Sequence, residues 1–301
     1  MRARYHLEYG SVLALAALLR AVPRGTALAV GAALGQLGWW LRIRRSLVLA
    51  NLAQAFPAKT AGERRHTAAR AARNFGRTVA EFVRFAGSDR WRVGELVRLE
   101  GLDELRATLR SGSGAIIVTA HLGAWALYVT ALAAADIRSA LLVGRQHNPK
   151  VQRFILGIPG EAVHFVPKSK GAPRDILRCL REGLAVVMVA DHRAGRHGEL
   201  APFLGRTAST LALPGAISAR HGTPVFLMAG RRVSQGRHLV TVSRLAAPAE
   251  GDEDVRRHAI TVACNEALGY AILACPEQYF WYHRRWHGQP AGDHPTTQEL
   301  T

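Results

Sequence analysis

A chain of 301 residues with 49% hydrophobic and 21% charged residues can bury a substantial core and is too apolar to be disordered. Its formal charge of +18, almost all arginine, points to anionic partners: a membrane surface, a phosphorylated substrate, an acidic protein or nucleic acid. Its three widely spaced cysteines, Cys179, Cys264 and Cys275, exclude a disulfide framework and a CxxC metal site, and fit a reducing compartment.

Residues 11–19 and 26–41 are apolar and are separated by RAVPRG. Neither run reaches the roughly 18–20 apolar residues of a spanning helix. Trp39 and Trp40, followed by Arg42, Arg44 and Arg45, have the pattern of an interfacial anchor, with aromatic rings at headgroup depth and cations beside them. Residues 1–50 therefore read as an N-terminal helical membrane anchor, monotopic rather than spanning, with no cleavable signal. The alternative is a helix pair buried in a soluble core. Residues 51–100 read as a helical lead-in. Within it, 61–86 is a basic helix with Phe75, Val79, Phe82 and Val83 on its apolar face.

From residue 101 the pattern changes. Strand-like runs at 114–120, 139–143, 163–167, 185–190, 224–229 and 238–243 alternate with helix-like segments at 124–135, 148–156, 172–182, 208–221 and 253–274. This alternation predicts an α/β layered sandwich over 101–290, with a mostly parallel central sheet covered by helices. Residues 291–301 form a polar tail. No glycine-rich nucleotide loop and no GxSxG elbow occurs in the chain.

The run VTAHLGAW at 118–125 places His121 at the C-terminal end of a predicted strand, where open α/β sheets hold their ligands. Gly123 allows a tight backbone passage, and Trp125 can anchor the first turn of the next helix. A histidine base usually has a carboxylate partner. Five residues is about 500° around an ideal helix, so such a pair meets only if the histidine precedes the helix and the acid lies in its first turn. The layout is present here, but position 126 is alanine.

Six ordered blocks carry a resemblance that covers roughly residues 10–287: NLAQAFP at 51–57, RNFGRTVAEF at 73–82, TAHLGAW at 119–125, RQHNP at 145–149, ADHRAGRHGELAPFLGR at 190–206 and PEQYFWYHRRW at 276–286. Together they resemble the lipid A late acyltransferases, the lauroyl and myristoyl transferases of the broader lysophospholipid acyltransferase superfamily. The resemblance implies transfer of a fatty acyl group from acyl carrier protein or acyl-CoA to a hydroxyl of a phosphorylated glycolipid. The expected site is the cytoplasmic face of the bacterial inner membrane, with no cofactor. It implies that His121 is the general base and that an acid five residues on holds the imidazole, a role Ala126 does not fill.

Three accounts of Ala126 remain open at this level: a divergent or inactive member, a replacement acid elsewhere, or a substitution introduced into the natural sequence. Asp191 and Glu199 are the candidate replacement acids, because their block follows a later predicted strand. If the site is otherwise intact, Ala126→Glu is expected to raise activity. The resemblance also suggests that Arg145 grips an anionic substrate, with Gly123, Trp125, Asn148, Phe203, Gly205, Arg284 and Arg285 as further candidates for the substrate pocket. Asn148, Asp191 and Glu199 have plainer readings, as a helix cap, a structural tie for the loop that runs to Phe203 and an exposed loop residue. His283 and His287 are four apart but have no third ligand nearby, so no metal is expected. Two other functional classes compete: a lipid-binding scaffold that keeps the fold without turnover, and a nucleic-acid binder. The second is disfavoured because the arginines are scattered and no nucleic-acid motif occurs.

Overall fold

The computed structural model describes residues 2–85, 90–144, 148–157, 163–246 and 250–287. Its N-terminal part is helical: α1 (Arg2–Ala21), α2 (Arg24–Trp40), α3 (Arg45–Ala55), α4 (Ala61–Phe85) and the short α5 (Arg90–Gly94). Pro23 precedes the first turn of α2, where its missing N–H breaks no helical bond. α4 opens with a capping box. Glu63 accepts from the Thr60 N–H at 2.7 Å, and the Thr60 hydroxyl accepts from the Glu63 N–H at 3.2 Å.

α2 and α4 approach backbone to backbone because small residues line their contact. A Cβ on Gly76 would lie 1.9 Å from the Gly31 carbonyl oxygen, and one on Gly35 would lie 2.1 Å from that of Ala72. The outer side of α2 and the turn after it expose Leu34, Leu37, Trp40, Leu41 and Ile43. Among the described residues, no helix is long and apolar enough to cross a membrane.

The rest of the chain builds the sheet and its cover. β1 (Val97–Glu100), α6 (Leu102–Arg110), β2 (Ala115–Thr119), α7 (Trp125–Ala134), β3 (Ser139–Val143) and α8 (Pro149–Leu156) come first. They are followed by β4 (Val163–Pro167), α9 (Ala172–Arg181), β5 (Ala185–Val189), β6 (Glu199–Phe203), β7 (Arg206–Thr210), α10 (Leu213–His221), β8 (Val225–Arg232), β9 (His238–Arg244) and α11 (Glu253–Ala274). Seven strands form one sheet in the order β1-β9-β8-β2-β5-β3-β4, parallel throughout except between β8 and β9.

Every residue of central β2 is buried, as a strand covered on both faces requires. Ile117 and Val187 pack on one face with Leu127 and Leu132 of α7. Ile116, Val118 and Met188 pack on the other with Ile176 of α9.

The predicted parallel core is present, and the structure adds two features that the pattern did not show. β1 pairs with β9, so the sheet begins inside the segment read as helical lead-in. Residues 199–210 form the β6–β7 hairpin, closed by Leu204 and Gly205, both at positive φ (50° and 77°). The helix read over 208–221 therefore starts only at Leu213, because 206–210 is paired as strand.

Candidate active site

Strand register brings the central pair together. β2 and β5 are parallel neighbours with Thr119 opposite Val189, and His121 and Asp191 each lie two residues further on. Equivalent positions on adjacent parallel strands share a face and sit about 4.8 Å apart, so the two side chains emerge side by side. The His121 Nδ1 is 2.8 Å from Asp191 Oδ1, and the His121 backbone N–H donates to Oδ2 at 3.2 Å.

Asp191 is fully buried. Burial by itself raises its pKa, but the neighbouring His121 charge and the hydrogen bonds from that residue outweigh it and hold the carboxyl well below the usual range. An ionised Asp191 can only accept, so in the neutral form of His121 the ring proton sits on Nδ1. That leaves the Nε2 lone pair free to act as a base.

The turn carrying His121 is held from several directions. Gly123 has φ +57°, and a Cβ there would lie 2.2 Å from the Tyr128 hydroxyl, so only glycine fits. Its N–H donates to the Gln278 carbonyl at 3.0 Å, and the Phe280 N–H donates to the His121 carbonyl at 3.0 Å. The Thr78 hydroxyl donates to the Gly123 carbonyl at 3.2 Å, and the Tyr128 hydroxyl accepts from the Ala124 N–H at 2.9 Å. The C-terminal segment is fixed in turn by Asn51, which donates to the carbonyls of Trp281 and His283 at 2.8 and 2.7 Å, and by Asn74, which donates to that of Glu277 at 2.8 Å.

Behind this turn lies a buried ionic network that sequence reasoning missed. Glu81, fully buried on α4, accepts from Arg232 at 2.5 Å, His238 Nε2 at 3.0 Å and Arg24 at 3.1 Å. His238 Nδ1 lies 3.1 Å from the Tyr128 hydroxyl, and Arg232 also donates to the Thr78 hydroxyl at 3.1 Å. Burial would raise the Glu81 pKa, yet the His238 hydrogen bond and the Arg232 charge hold it down at about 2. One signal was available: Glu81 stands next to Phe82 and Val83, the apolar residues of the predicted helix face. Arg232, His238 and Tyr128 carried none, because strand and helix positions far apart in sequence do not announce a shared partner.

A column of imidazoles continues from His121. The His121 and His192 rings stack at 3.8 Å and 10°, and His192 and His283 at 3.9 Å and 10°, while Trp125 meets His121 edge-on at 5.2 Å. Burial lowers the pKa of His192 to about 3 and that of His283 to about 4, so both stay neutral beside His121 at physiological pH. The His283 Nε2 accepts from the Arg193 N–H at 3.0 Å.

Ligand atoms of His121, Asp191 and His192 lie within 4.8 Å of one another. Imidazole lone pairs lie in the ring plane, and two nearly parallel stacked rings with centres 3.8 Å apart do not converge on one ion at about 2.0–2.1 Å. The pair geometry suits proton transfer and does not suit a metal.

A cavity of about 670 Å³ is lined by His121, Gly123 and Trp125 together with the apolar Leu142, Phe165 and Val189. Ala126, itself buried, forms part of the wall. The chain matches the bacterial lipid A biosynthesis acyltransferases over residues 2–288. It belongs to the bacterial lipid A biosynthesis acyltransferase family. Similar curated proteins are the lipid A biosynthesis palmitoleoyltransferase of Escherichia coli (strain K12) and the lipid A biosynthesis acyltransferase of Shigella flexneri. Each is 24% identical over 260 residues, which cover 84% of this chain and 82% of the relative.

Several residues expected to serve this acyltransferase site are placed elsewhere. Glu199 accepts from His258 at 2.9 Å and Thr261 at 3.0 Å, and it pairs with Arg257 at 3.5 Å, so it is committed to α11 rather than to His121. Phe203 is buried under the Arg285 guanidinium, 4.4 Å from its ring centre, and Gly205 forms the hairpin turn; neither lines the cavity.

Arg285 is 2% exposed and donates to the Ser209 carbonyl at 2.5 Å and the Thr210 hydroxyl at 2.8 Å. It braces the hairpin. Arg284 is exposed and outside the cavity wall. Asn148 caps α8, accepting from the Lys150 N–H at 3.0 Å, and its amide donates to the Tyr5 carbonyl at 3.0 Å. Arg145 lies outside the described residues. His283 and His287 stand in a turn segment rather than on a helix, so their spacing does not bring them to one face.

Proposed function

We propose that this acyltransferase moves a fatty acyl group from an acyl thioester, on acyl carrier protein or coenzyme A, to a hydroxyl of a lipid A-like or other glycolipid. His121 Nε2 takes the hydroxyl proton as the oxygen attacks the thioester carbonyl. The tetrahedral intermediate then collapses with breakage of the C–S bond, and the imidazolium returns the proton to the leaving thiolate. Asp191 holds the imidazole tautomer and stabilises the imidazolium, the role that the resemblance places at position 126.

The observation that carries this reading is the 2.8 Å His121–Asp191 pair, with His121 in the wall of a largely apolar cavity. The donor chain lies against Leu142, Phe165 and Val189, with its carbonyl at His121. The scaffold reading rested on Ala126, and an acid supplied from the neighbouring strand removes that support.

Residues 1–50 act in this account as a monotopic anchor at the cytoplasmic face of the inner membrane. The exposed Leu34, Leu37, Trp40 and Ile43, next to Arg42, Arg44 and Arg45, support this. The +18 charge suits anionic lipid, phosphorylated acceptor and acidic donor alike.

The test is transfer from acyl-CoA or acyl carrier protein to a lipid A precursor in mixed micelles, for the wild type and His121→Ala. Transfer that vanishes in the variant supports the proposal. Lipid retention by the wild type without turnover restores the scaffold.

A further inference from the structure

Asp191 fixes only one edge of the His121 ring. Its carboxylate meets Nδ1 at 2.8 Å, and one hydrogen bond to a ring nitrogen lets the ring rock about that contact. The histidine χ2 torsion is itself broad, because an sp³–sp² bond has no sharp staggered wells. The Nε2 lone pair lies in the ring plane, so rocking swings it away from its target. A contact on the ring face is needed if the lone pair is to keep one direction.

His192 supplies that face. Its ring centre lies 3.8 Å from that of His121 with 10° between the planes, and Trp125 adds an edge contact at 5.2 Å. His283 stacks on His192 at 3.9 Å and 10°. Two rings cannot share one face of an imidazole at these spacings, so His192 is clamped between His121 and His283. Phe280 packs beside the pair, 6.0 Å from the His121 ring and 6.2 Å from that of His192. His283 is tethered in turn: its Nε2 accepts from the Arg193 N–H at 3.0 Å, and its carbonyl accepts from Asn51 of α3 at 2.7 Å.

The clamp holds the His192 ring by its faces and not by hydrogen bonds. Its buried Nε2 has no partner among the described residues, an arrangement that ordinary packed side chains avoid. N–H bonds lie in the ring plane, so parallel stacked rings do not pass a proton directly from one to the next. Burial keeps His192 neutral at physiological pH, so a π face rather than a second positive charge meets the imidazolium that forms on His121.

We propose that His192 is a positioning residue for acyl transfer: its ring face sets the plane of the His121 imidazole, and so the line of the Nε2 lone pair, with His283 as the backing ring. The inference rests on the proton transfer assigned to His121 above. It makes a flat face the requirement at both positions, and neither a titrating group nor simple bulk.

The test compares a flat with a non-flat replacement in the full chain. His192→Phe keeps a ring face without a titrating nitrogen, and His192→Leu fills the space without a ring. His192→Leu is expected to lower kcat about tenfold or more with KM within about twofold, and His192→Phe to stay within about threefold of wild type. Added to His121→Ala, His192→Leu should change the residual rate by less than about twofold, because the ring that it positions is gone. His283→Phe and His283→Leu, which both lose the bond from Arg193, repeat the contrast should a variant at His192 fail to fold. Equal rates in the folded Phe and Leu variants, or a loss that persists in full without His121, overturn the proposal.

A second arm needs no turnover. Carbon-13 relaxation of the His121 Cε1–H bond, in micelles, reads the rocking of the ring. The bond is expected to be rigid in wild type and in the Phe variants and more mobile in the Leu variants, and equal mobility overturns the proposal. If the wild type transfers nothing, the functional reading fails, and this arm still decides whether the stack holds the ring.

Discussion

Asp191 meets the ring of His121 at 2.8 Å although 70 positions separate them. The cause is strand register: β2 and β5 pair as equals, and each continues through one alanine, Ala120 or Ala190, to a polar residue at the strand end. In this way the sheet brings the acid to the base from a neighbouring strand rather than from the helix that follows the histidine. Position 126 is then free to serve the cavity wall.

This reverses the expectation for Ala126→Glu. The imidazole Nδ1 already has its acceptor, and Ala126 is 5% exposed within the apolar core. A carboxylate there would be buried without a partner, at a cost of several kcal/mol or with a raised pKa, and would narrow the cavity. Transfer is expected to fall at least tenfold and the thermal midpoint to drop, both measured beside wild type. A rise in kcat would show that the Asp191 pair is not sufficient.

Much of the architecture was legible because buried parallel strands are apolar runs of fixed length, as AIIVT and AVVMV are. His121 was legible from its place at a strand end. The choice between Asp191 and Glu199 was not, since both follow the same strand and only register and the β6–β7 hairpin separate them. Arg285 misled for a related reason. An arginine in a polar-looking signature reads as a phosphate ligand until its burial over Phe203 is known. The Glu81 network stayed hidden because its members come from α2, α4, α7, β8 and β9.

That network gives a stability prediction. Removing the Glu81 carboxylate leaves the buried Arg232 without its counter-charge and His238 Nε2 without its acceptor, and breaking a buried ion pair from one side typically costs about 3–5 kcal/mol. Glu81→Ala is expected to lose that much in a urea titration. The folded fraction should also turn over more slowly, because Thr78 and Tyr128 no longer hold Gly123 and Ala124 as firmly. Unchanged stability would mean that the network contributes nothing net.

The imidazole column sets a pH dependence with a definite sign. Burial holds His192 at about 3 and His283 at about 4 in the folded chain, below the ordinary imidazole value of 6.5. Between roughly pH 6.5 and 4 the unfolded state therefore binds protons that the folded state refuses, and stability falls as pH falls through that window. Glu81 and Asp191, with lowered carboxyl values, lose their contribution only at lower pH. Denaturation midpoints across pH 4–7 should decline toward acid, and His283→Gln should flatten part of the slope.

The α2–α4 contact makes a packing prediction. A methyl on Gly76 would meet the Gly31 carbonyl oxygen at 1.9 Å, so the helices must separate to admit it. Gly76→Ala is expected to cost about 1–3 kcal/mol, the usual range for overpacking, by chemical denaturation.

The central claim is that His121 and Asp191 work as one unit, and a double-mutant cycle on acyl transfer tests it most directly. His121→Ala and Asp191→Asn are each expected to lower kcat/KM on the order of 10²–10⁴-fold. The double variant should be little worse than His121→Ala alone, because groups acting as a unit are not additive. Losses that multiply in the double variant, or an Asp191→Asn enzyme within threefold (about 0.7 kcal/mol) of wild type, would contradict the pair.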